Sequence, residues 1–223
     1  MSTARAPRGS LTRDRVVAEA MALADAEGLS ALTMRALAAR LGVKPMAIYH
    51  HIASKEAILD AVIDQVFAEM DLPEPGRPWR EQLRRRTSSV RVVLRRHGWS
   101  IAVLESRAVS TRPASLRHHD AVIGTLRRDG FDVAEAAHAF ALLDSYVYGF
   151  VIQEVTLSSR SPQEFAEEVE TLAEELDSAA YPYLTEMAVD HVMRPGYDFA
   201  DEFDHGLELI LDAIERDRAG SGG

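Results

Sequence analysis

The sequence predicts an all-α protein in which a small N-terminal helix-turn-helix module precedes a larger helical body. Apolar residues recur at helical spacing in almost every segment, and no run shows the β-branched alternation of a strand. Glycines and prolines divide the N-terminal part into short helices. The 223 residues suffice for one compact unit plus a small module.

Composition excludes several classes of protein. Hydrophobic side chains make up 47% of the chain and charged ones 27%, which is typical of folded proteins. Cysteine is absent, which excludes disulfides, thiolate metal sites and cysteine nucleophiles. No apolar run is long enough to span a membrane, and none follows Arg5 and Arg8 as a secretory signal requires. We therefore expect a cytoplasmic protein.

The charge is unevenly distributed along the chain. The net charge is −10, yet residues 1–55 carry eight basic and four acidic side chains. The rest of the chain is therefore strongly acidic. A basic end on an acidic body is typical of a small module that contacts phosphates while the body stays away from them.

The first helices have clear start and stop signals. Thr12 is a suitable cap for a helix that ends at Gly28. A second helix is predicted from Thr33 to about Leu41, and Gly42 ends it. Pro45 opens a third helix, where its missing N–H costs nothing.

A fourth helix begins at Ser54 and stops at the proline-rich stretch 72–78, which we take as a domain boundary. The predicted organisation is a DNA-binding domain over 1–55, a connecting helix over 56–72, a body over 73–218 and a flexible tail over 219–223. Helical patterns in the body lie near 79–96, 99–108, 114–128, 133–156, 163–178, 181–193 and 199–216.

The segment from Thr33 to Lys55 has the pattern of a helix-turn-helix. Ala38 is small where the helices approach, Gly42 tolerates the positive φ of the turn, and Val43 and Ile48 lock the following helix. The outer face of the third helix is then free to enter the major groove. A plain helical hairpin inside a bundle is the alternative, but amphipathic residues on that outer face and the cations around it favour DNA binding.

Each exposed residue type has a matching contact on DNA. Arg35 suits a base edge or a phosphate, while Lys44 and Lys55 suit phosphates. Thr33 is expected to offer its hydroxyl or its backbone N–H to a phosphate. Tyr49 and His51 donate to phosphates, and Met46 and Ala47 suit thymine methyl groups. The predicted DNA-binding residues are Thr33, Arg35, Lys44, Pro45, Met46, Ala47, Tyr49, His50, His51 and Lys55.

The run Leu32-Thr33-Met34-Arg35-Ala36-Leu37-Ala38, then Leu41-Gly42-Val43 and Ile48-Tyr49-His50-His51-Ile52-Ala53-Ser54-Lys55, resembles the TetR (tetracycline repressor) family. In the family pattern Tyr49 and His51 belong to the recognition helix, Lys55 opens the next helix, and Arg35 matches a base-contacting arginine. The resemblance implies that the fourth helix links the DNA module to the body and that C-terminal helices form a four-helix dimer interface.

A weaker resemblance to the tetracycline-repressor branch continues through Thr111-Arg112-Pro113, Gly130-Phe131 and Phe203-Asp204-His205-Gly206-Leu207-Glu208-Leu209-Ile210. Ala108 stands where that branch places its metal-binding histidine, which argues against a metal-tetracycline effector. We expect no cofactor and no metal, and an effector of unknown identity. The tentative ligand-binding residues, most of which also fit a plain core, are Phe67, Trp99, Arg112, Asp144, Tyr148 and Gln153.

Two apolar helices suit dimerisation. The stretch from Ala136 to Val155 is apolar nearly all round, and a second apolar stripe runs from Phe203 to Ile214. Burial inside a monomeric core is the alternative. A homodimer would read a palindromic operator with two half-sites. The tentative interface residues are Phe140, Leu143, Tyr146, Val147, Phe150, Phe203, Leu207, Ile210, Leu211 and Ile214.

The sequence thus predicts a DNA-binding regulator, most simply a repressor that a small molecule releases from its operator. An activator or an effector-independent regulator has the same N-terminal signature. An enzyme is a remote alternative, because His50-His51 and His118-His119 are sequential on helices and their side chains diverge. The arginines between Arg84 and Arg96 fit either a second nucleic-acid surface or, more commonly, a helix face paired with acidic segments.

Overall fold

The computed structural model of the chain describes residues 10–105, 112–158, 171 and 177–221, and these form helices and no strand. The all-α prediction is confirmed. The chain forms two compact units, one of residues 1–72 and 92–122 and the other of residues 73–91 and 123–223. This division departs from a linear boundary at the proline-rich stretch, since residues 92–122 group with the N-terminal helices.

The N-terminal helices of the first unit are α1 (Arg13–Glu27), α2 (Met34–Leu41), α3 (Pro45–Tyr49) and α4 (Lys55–Glu69), with a 3-10 turn at Leu29–Ala31. Thr12 and Ser54 cap α1 and α4 as predicted, because their hydroxyl oxygens accept hydrogen bonds from the backbone N–H groups of Arg15 and Ala57. The apolar stripes of these helices meet in one core, whose members include Val16, Ala20, Leu23, Leu37, Leu41, Ile48, Ile58, Val62 and Val66.

Three helices follow: α5 (Trp79–Arg96), α6 (Trp99–Glu105) and α7 (Pro113–Arg128). The start of α7 is held by a side chain of α4, since Asp64 Oδ1 accepts from the backbone N–H of Ala114 at 2.8 Å. Asp60, one turn earlier on α4, pairs with Arg112 at 2.7 Å. Two carboxylates of one helix therefore fix the first turn of α7 within the first unit.

The second unit contains α8 (Val133–Ser158), α9 (Pro182–Met187) with a π-helical turn at Ala188–Val192, and α10 (Glu202–Ser221) after a 3-10 turn at Phe199–Asp201. A reciprocal capping box between Asp132 and Glu135 begins α8. The last helix, α10, extends to Ser221, past the point at which the sequence predicted a flexible tail. The helix expected over 163–178 lies almost wholly outside the described residues.

The arginines of α5 make ion pairs with acidic helices. Arg80 and Arg84 both contact Glu208 of α10. Arg86, which is buried, pairs with Asp144 of α8 at 2.6 Å, and Arg91 pairs with Glu154. These pairs support the interpretation of this stretch as a structural helix face rather than a nucleic-acid surface.

Candidate nucleic-acid interface

The turn between α2 and α3 has the geometry that the sequence predicted. Thr33 Oγ1 accepts from the backbone N–H of Ala36 at 3.1 Å and so begins α2. Gly42 ends the helix with φ 67° and ψ 33°, in the left-handed region where a Cβ is unfavourable. The backbone N–H of Val43 then donates to the carbonyl of Ala38 at 3.0 Å. The chain therefore reverses tightly enough for α3 to begin at Pro45.

The short α3 is anchored along one edge and exposed along the other. Ile48 has 0% of its surface exposed and fixes the helix to the core. Met46 is 68% exposed, and Tyr49 and His50 are exposed as well. Pro45 is exposed and Ala47 is half-buried. An amphipathic face without acidic side chains is thus presented at the surface, as expected for a recognition helix.

Cationic groups surround this exposed face. Arg35, Lys44 and His51 are exposed and Lys55 is half-buried, and none of the four forms an ion pair within the described part of the chain. Arg40, by contrast, pairs with Glu19 of α1 and therefore holds the module together. Four positive or protonatable groups remain available for phosphates or base edges.

One predicted contact is wrong in part. The backbone N–H of Thr33 donates to the carbonyl of Ala31 at 2.8 Å, so it is not available to a phosphate. The hydroxyl oxygen accepts the capping hydrogen bond from Ala36, but the hydroxyl proton remains free to donate. Thr33 is therefore restricted to contact through its hydroxyl.

Comparison with known proteins agrees with this geometry. Residues 16–62 match the model described as "Bacterial regulatory proteins, tetR family", and residues 72–218 match "Tetracyclin repressor-like, C-terminal domain". The chain belongs to the TetR family. It is therefore a DNA-binding transcriptional regulator rather than an enzyme, as predicted.

Similar TetR-family proteins span nearly the whole chain. The HTH-type transcriptional repressor DrrR1 of Streptomyces coeruleorubidus is 33% identical over 222 residues, which cover 95% of this chain and 80% of that protein. The tetracycline repressor protein class C of Escherichia coli is 27% identical, with 93% and 92% covered. The Streptomyces coelicolor TetR family protein ActR in complex with actinorhodin superposes with a TM-score of 0.77 at 30% identity, covering 96% of this chain and 100% of that chain.

The ligand-binding residues predicted in the first unit are engaged in internal contacts. Phe67 is buried, with its ring 5.6 Å from that of His118. The indole N–H of Trp99 donates to Asp25 at 2.6 Å, and Arg112 pairs with Asp60. An open groove of about 860 Å³ between α1 and α4 is lined by Arg112 but not by Phe67 or Trp99. Ala108 and Thr111 lie outside the described residues.

The ligand-binding residues predicted in the second unit have different environments. Asp144 is held by Arg86. Burial raises the pKa of the neighbouring Tyr148 phenol well above its usual value, and the charge of Asp144 adds to the shift. Gln153 is exposed and its amide donates to the carbonyl of Gly149. Tyr148 is therefore a neutral hydrogen-bond donor at physiological pH.

Most of the predicted dimer residues are buried within their own unit. Those with almost no exposed surface are Leu143, Val147, Phe150, Phe203, Leu207, Leu211 and Ile214, which leaves little of them for a second subunit to contact. Phe140, Tyr146 and Ile210 are half-buried. The large apolar residues that are exposed on the same two helices are instead Val133, Leu142, Ile152 and Leu209. The residues selected from the sequence pattern therefore lie mainly on faces that pack inside one subunit.

Sequence reasoning missed several residues that the structure brings together. The hydroxyls of Ser100 and Ser115 are fully buried and have no hydrogen-bond partner in the described part of the chain. His97 is buried between Asp25 and Glu69. These partners lie far apart in the sequence, so no local spacing indicated the contacts.

Proposed function

We propose that this chain is a homodimeric repressor that binds a palindromic operator through α3 and dissociates when a small organic effector binds the body. The observation that carries the proposal is the exposed face of α3, which is anchored by Ile48 and surrounded by cations that form no ion pair with the residues the structure describes. Names of related proteins, a repressor among them, support the direction of control. We place the protein in the cytoplasm, where its operator lies; among the described helices none is long and apolar enough to cross a membrane.

On DNA, α3 would lie in the major groove with Met46 and Ala47 against thymine methyl groups. Tyr49 and His51 would donate to the phosphates beside the groove, with Lys44 and Lys55 as point charges. Arg35, from α2, has the length and the fork of donors needed to reach a guanine edge or a phosphate. Pro45 and His50 would complete the contact surface. Most of these groups are exposed, which supports the arrangement, whereas Ala47 and Lys55 are half-buried.

The dimer would form through exposed apolar residues of α8 and α10, namely Leu142, Ile152 and Leu209. A second apolar surface belongs to the segment 181–193, where no side chain is buried. Its large exposed hydrophobic residues are Tyr181, Tyr183, Leu184, Met187, Val189 and Met193. A soluble monomer rarely leaves such a contiguous patch uncovered, so we assign it to the contact with a second copy.

The effector site would use apolar walls with a few polar groups. Ser100 and Ser115, both in the first unit, are the best candidates for those polar groups. The serine hydroxyls are buried without a hydrogen-bond partner among the described residues, and burying a hydroxyl in that state costs free energy that a ligand recovers. ActR has been solved with actinorhodin and with (S)-DNPA, and an Acinetobacter baumannii TetR variant with minocycline, which supports an organic effector.

Operator selection from random DNA tests the proposal. The parent protein is expected to enrich a two-fold symmetric sequence, while Arg35→Ala and Tyr49→Ala bind it more weakly by about 1–3 kcal/mol for a lost base contact and less for a lost phosphate contact. Binding is measured over a salt series, because phosphate contacts determine its slope. Absence of a symmetric sequence, or unchanged binding by both variants, would contradict the proposal.

A further inference from the structure

The buried imidazole of His97 lies between carboxylates of two different helices. His97 is 3% exposed and follows directly after α5. Its Nδ1 is 2.7 Å from Asp25 Oδ1 of α1, and its Nε2 is 3.1 Å from Glu69 Oε2 of α4. One side chain therefore joins α1 and α4 to the junction between α5 and α6, all within the first unit.

Neighbours of His97 strengthen the same two links. The indole N–H of Trp99 donates to Asp25 Oδ1 at 2.6 Å, and Arg96 donates to Glu69 Oε2 at 3.1 Å. Asp25 from α1, Glu69 from α4 and Arg96 from α5 are the charged groups in direct contact with this junction. The groove beside it also carries the charged residues Arg13, Asp14, Asp64, Arg112 and Arg117.

The protonation of the ring decides whether both links exist. Ionised carboxylates only accept hydrogen bonds, and a neutral imidazole has a single N–H. A neutral His97 would donate to one carboxylate and turn its other nitrogen lone pair towards the second. Both contacts are hydrogen bonds only when both ring nitrogens carry a proton.

We propose that His97 is a proton-dependent bridge that positions α1 and α4, and with them the DNA-binding module, against the α5–α6 junction. Acidification completes the bridge, and deprotonation leaves one of the two carboxylates without its hydrogen bond from the ring. The effect on operator binding rests on the proposed function, whereas the bridge itself does not.

Thermal unfolding as a function of pH tests the bridge without DNA. We compare the parent with His97→Gln, which is neutral throughout, and with Asp25→Asn, which keeps an oxygen for Trp99 but removes the charge. Between about pH 8 and pH 6 the parent is expected to gain roughly 2–4 °C in Tm that both variants lack. The exposed His205→Gln serves as the matched control and should follow the parent. Parallel profiles of parent and His97→Gln would overturn the proposal.

A second measurement covers the case in which His97→Gln does not fold. Imidazole ¹⁵N spectra of the parent at about pH 6 should show both nitrogens of His97 protonated, and Glu69→Gln should reduce that signature. A neutral His97 ring at that pH would also overturn the bridge.

Binding to the selected operator at about pH 6 and 8 then gives the functional effect. The ratio of the two affinities is expected to differ between parent and His97→Gln by a few fold, and equal ratios would contradict the positioning role. If the parent binds no operator at either pH, the proposed function fails while the unfolding profile still decides the bridge.

Discussion

The hydroxyl of Tyr146 donates a hydrogen bond to the carbonyl of Phe203 at 2.8 Å and thereby crosses from α8 to α10 above Gly206. A Cβ added at Gly206 would clash with that hydroxyl oxygen. The two helices approach this closely because position 206 has no side chain. The same hydroxyl bond and the stacking of the Tyr146 and Phe203 rings, 5.4 Å apart, stabilise the crossing.

Gly206→Ala should therefore destabilise the protein by about 1–3 kcal/mol, because the methyl group forces the Tyr146 ring to move. Chemical denaturation measures the change. Gly149→Ala is the matched control, since nothing lies within 4 Å of a Cβ there and the gain in helix propensity should stabilise by about 0.5–1 kcal/mol. Equal effects of the two substitutions would show that the close approach of α8 and α10 at Gly206 does not affect stability.

Substitutions at Ile48 and Met46 should have different effects on stability and on DNA binding. Ile48→Ala removes a fully buried side chain and is expected to cost about 2–5 kcal/mol of unfolding free energy. Met46→Ala changes an exposed side chain, so stability should change by less than about 0.5 kcal/mol while operator affinity falls. Chemical denaturation and operator binding, measured on the same samples, check the predicted changes in stability and in affinity. A folded Met46→Ala protein with parental affinity would remove Met46 from the interface.

Lys44→Ala should weaken binding to all DNA sequences to a similar extent. A lysine that neutralises one phosphate releases its counterions, so its loss should reduce the slope of log affinity against log salt by about 1. Arg40→Ala is the informative comparison, because Arg40 is paired with Glu19 and its loss should lower stability more than the salt slope. A parental slope for Lys44→Ala would exclude a phosphate contact.

The buried ion pair of Arg91 and Glu154 should contribute to the free energy of unfolding. Glu154 is buried, Arg91 donates to both of its oxygens at 2.9 and 2.7 Å, and the guanidinium lies over the rings of Phe150 and Phe203. The hydrogen bond to Glu154 raises the pKa of Arg91. Arg91 stays charged even when this partner is removed, because a guanidinium is not deprotonated in proteins. Glu154→Ala should cost about 3–5 kcal/mol, and a double-mutant cycle with Arg91→Met should recover part of that loss. Additive costs would contradict direct coupling.

Tyr148 should ionise only at strongly alkaline pH. Burial raises the pKa of its phenol, so the unfolded chain loses this proton first and stability falls as the pH rises above about 10. Absorbance of tyrosinate during an alkaline titration should show a late component that disappears in Tyr148→Phe. A titration that is unchanged by the substitution would contradict the burial of the phenol.

The sequence predicted local structure well and long-range contacts poorly. Thr12, Thr33, Gly42 and Ser54 determine helix ends through bonds to residues a few positions away, which spacing alone reveals. The contacts of His97 depend on tertiary packing and have no local signature. The pattern of α8 is ambiguous for a related reason. A helix that is apolar nearly all round does not indicate which of its apolar residues stay inside the subunit.

The ion pairs of α5 weaken the electrostatic attraction between its arginines and DNA. Arginines that already contact carboxylates of α8 and α10 retain little attraction for a passing duplex, and the surplus acidity of the body repels it. We therefore expect DNA to be attracted chiefly by the N-terminal module, whose first 55 residues carry more basic than acidic side chains. The internal ion pairs of these arginines thus reduce non-specific binding to DNA and favour the search for an operator.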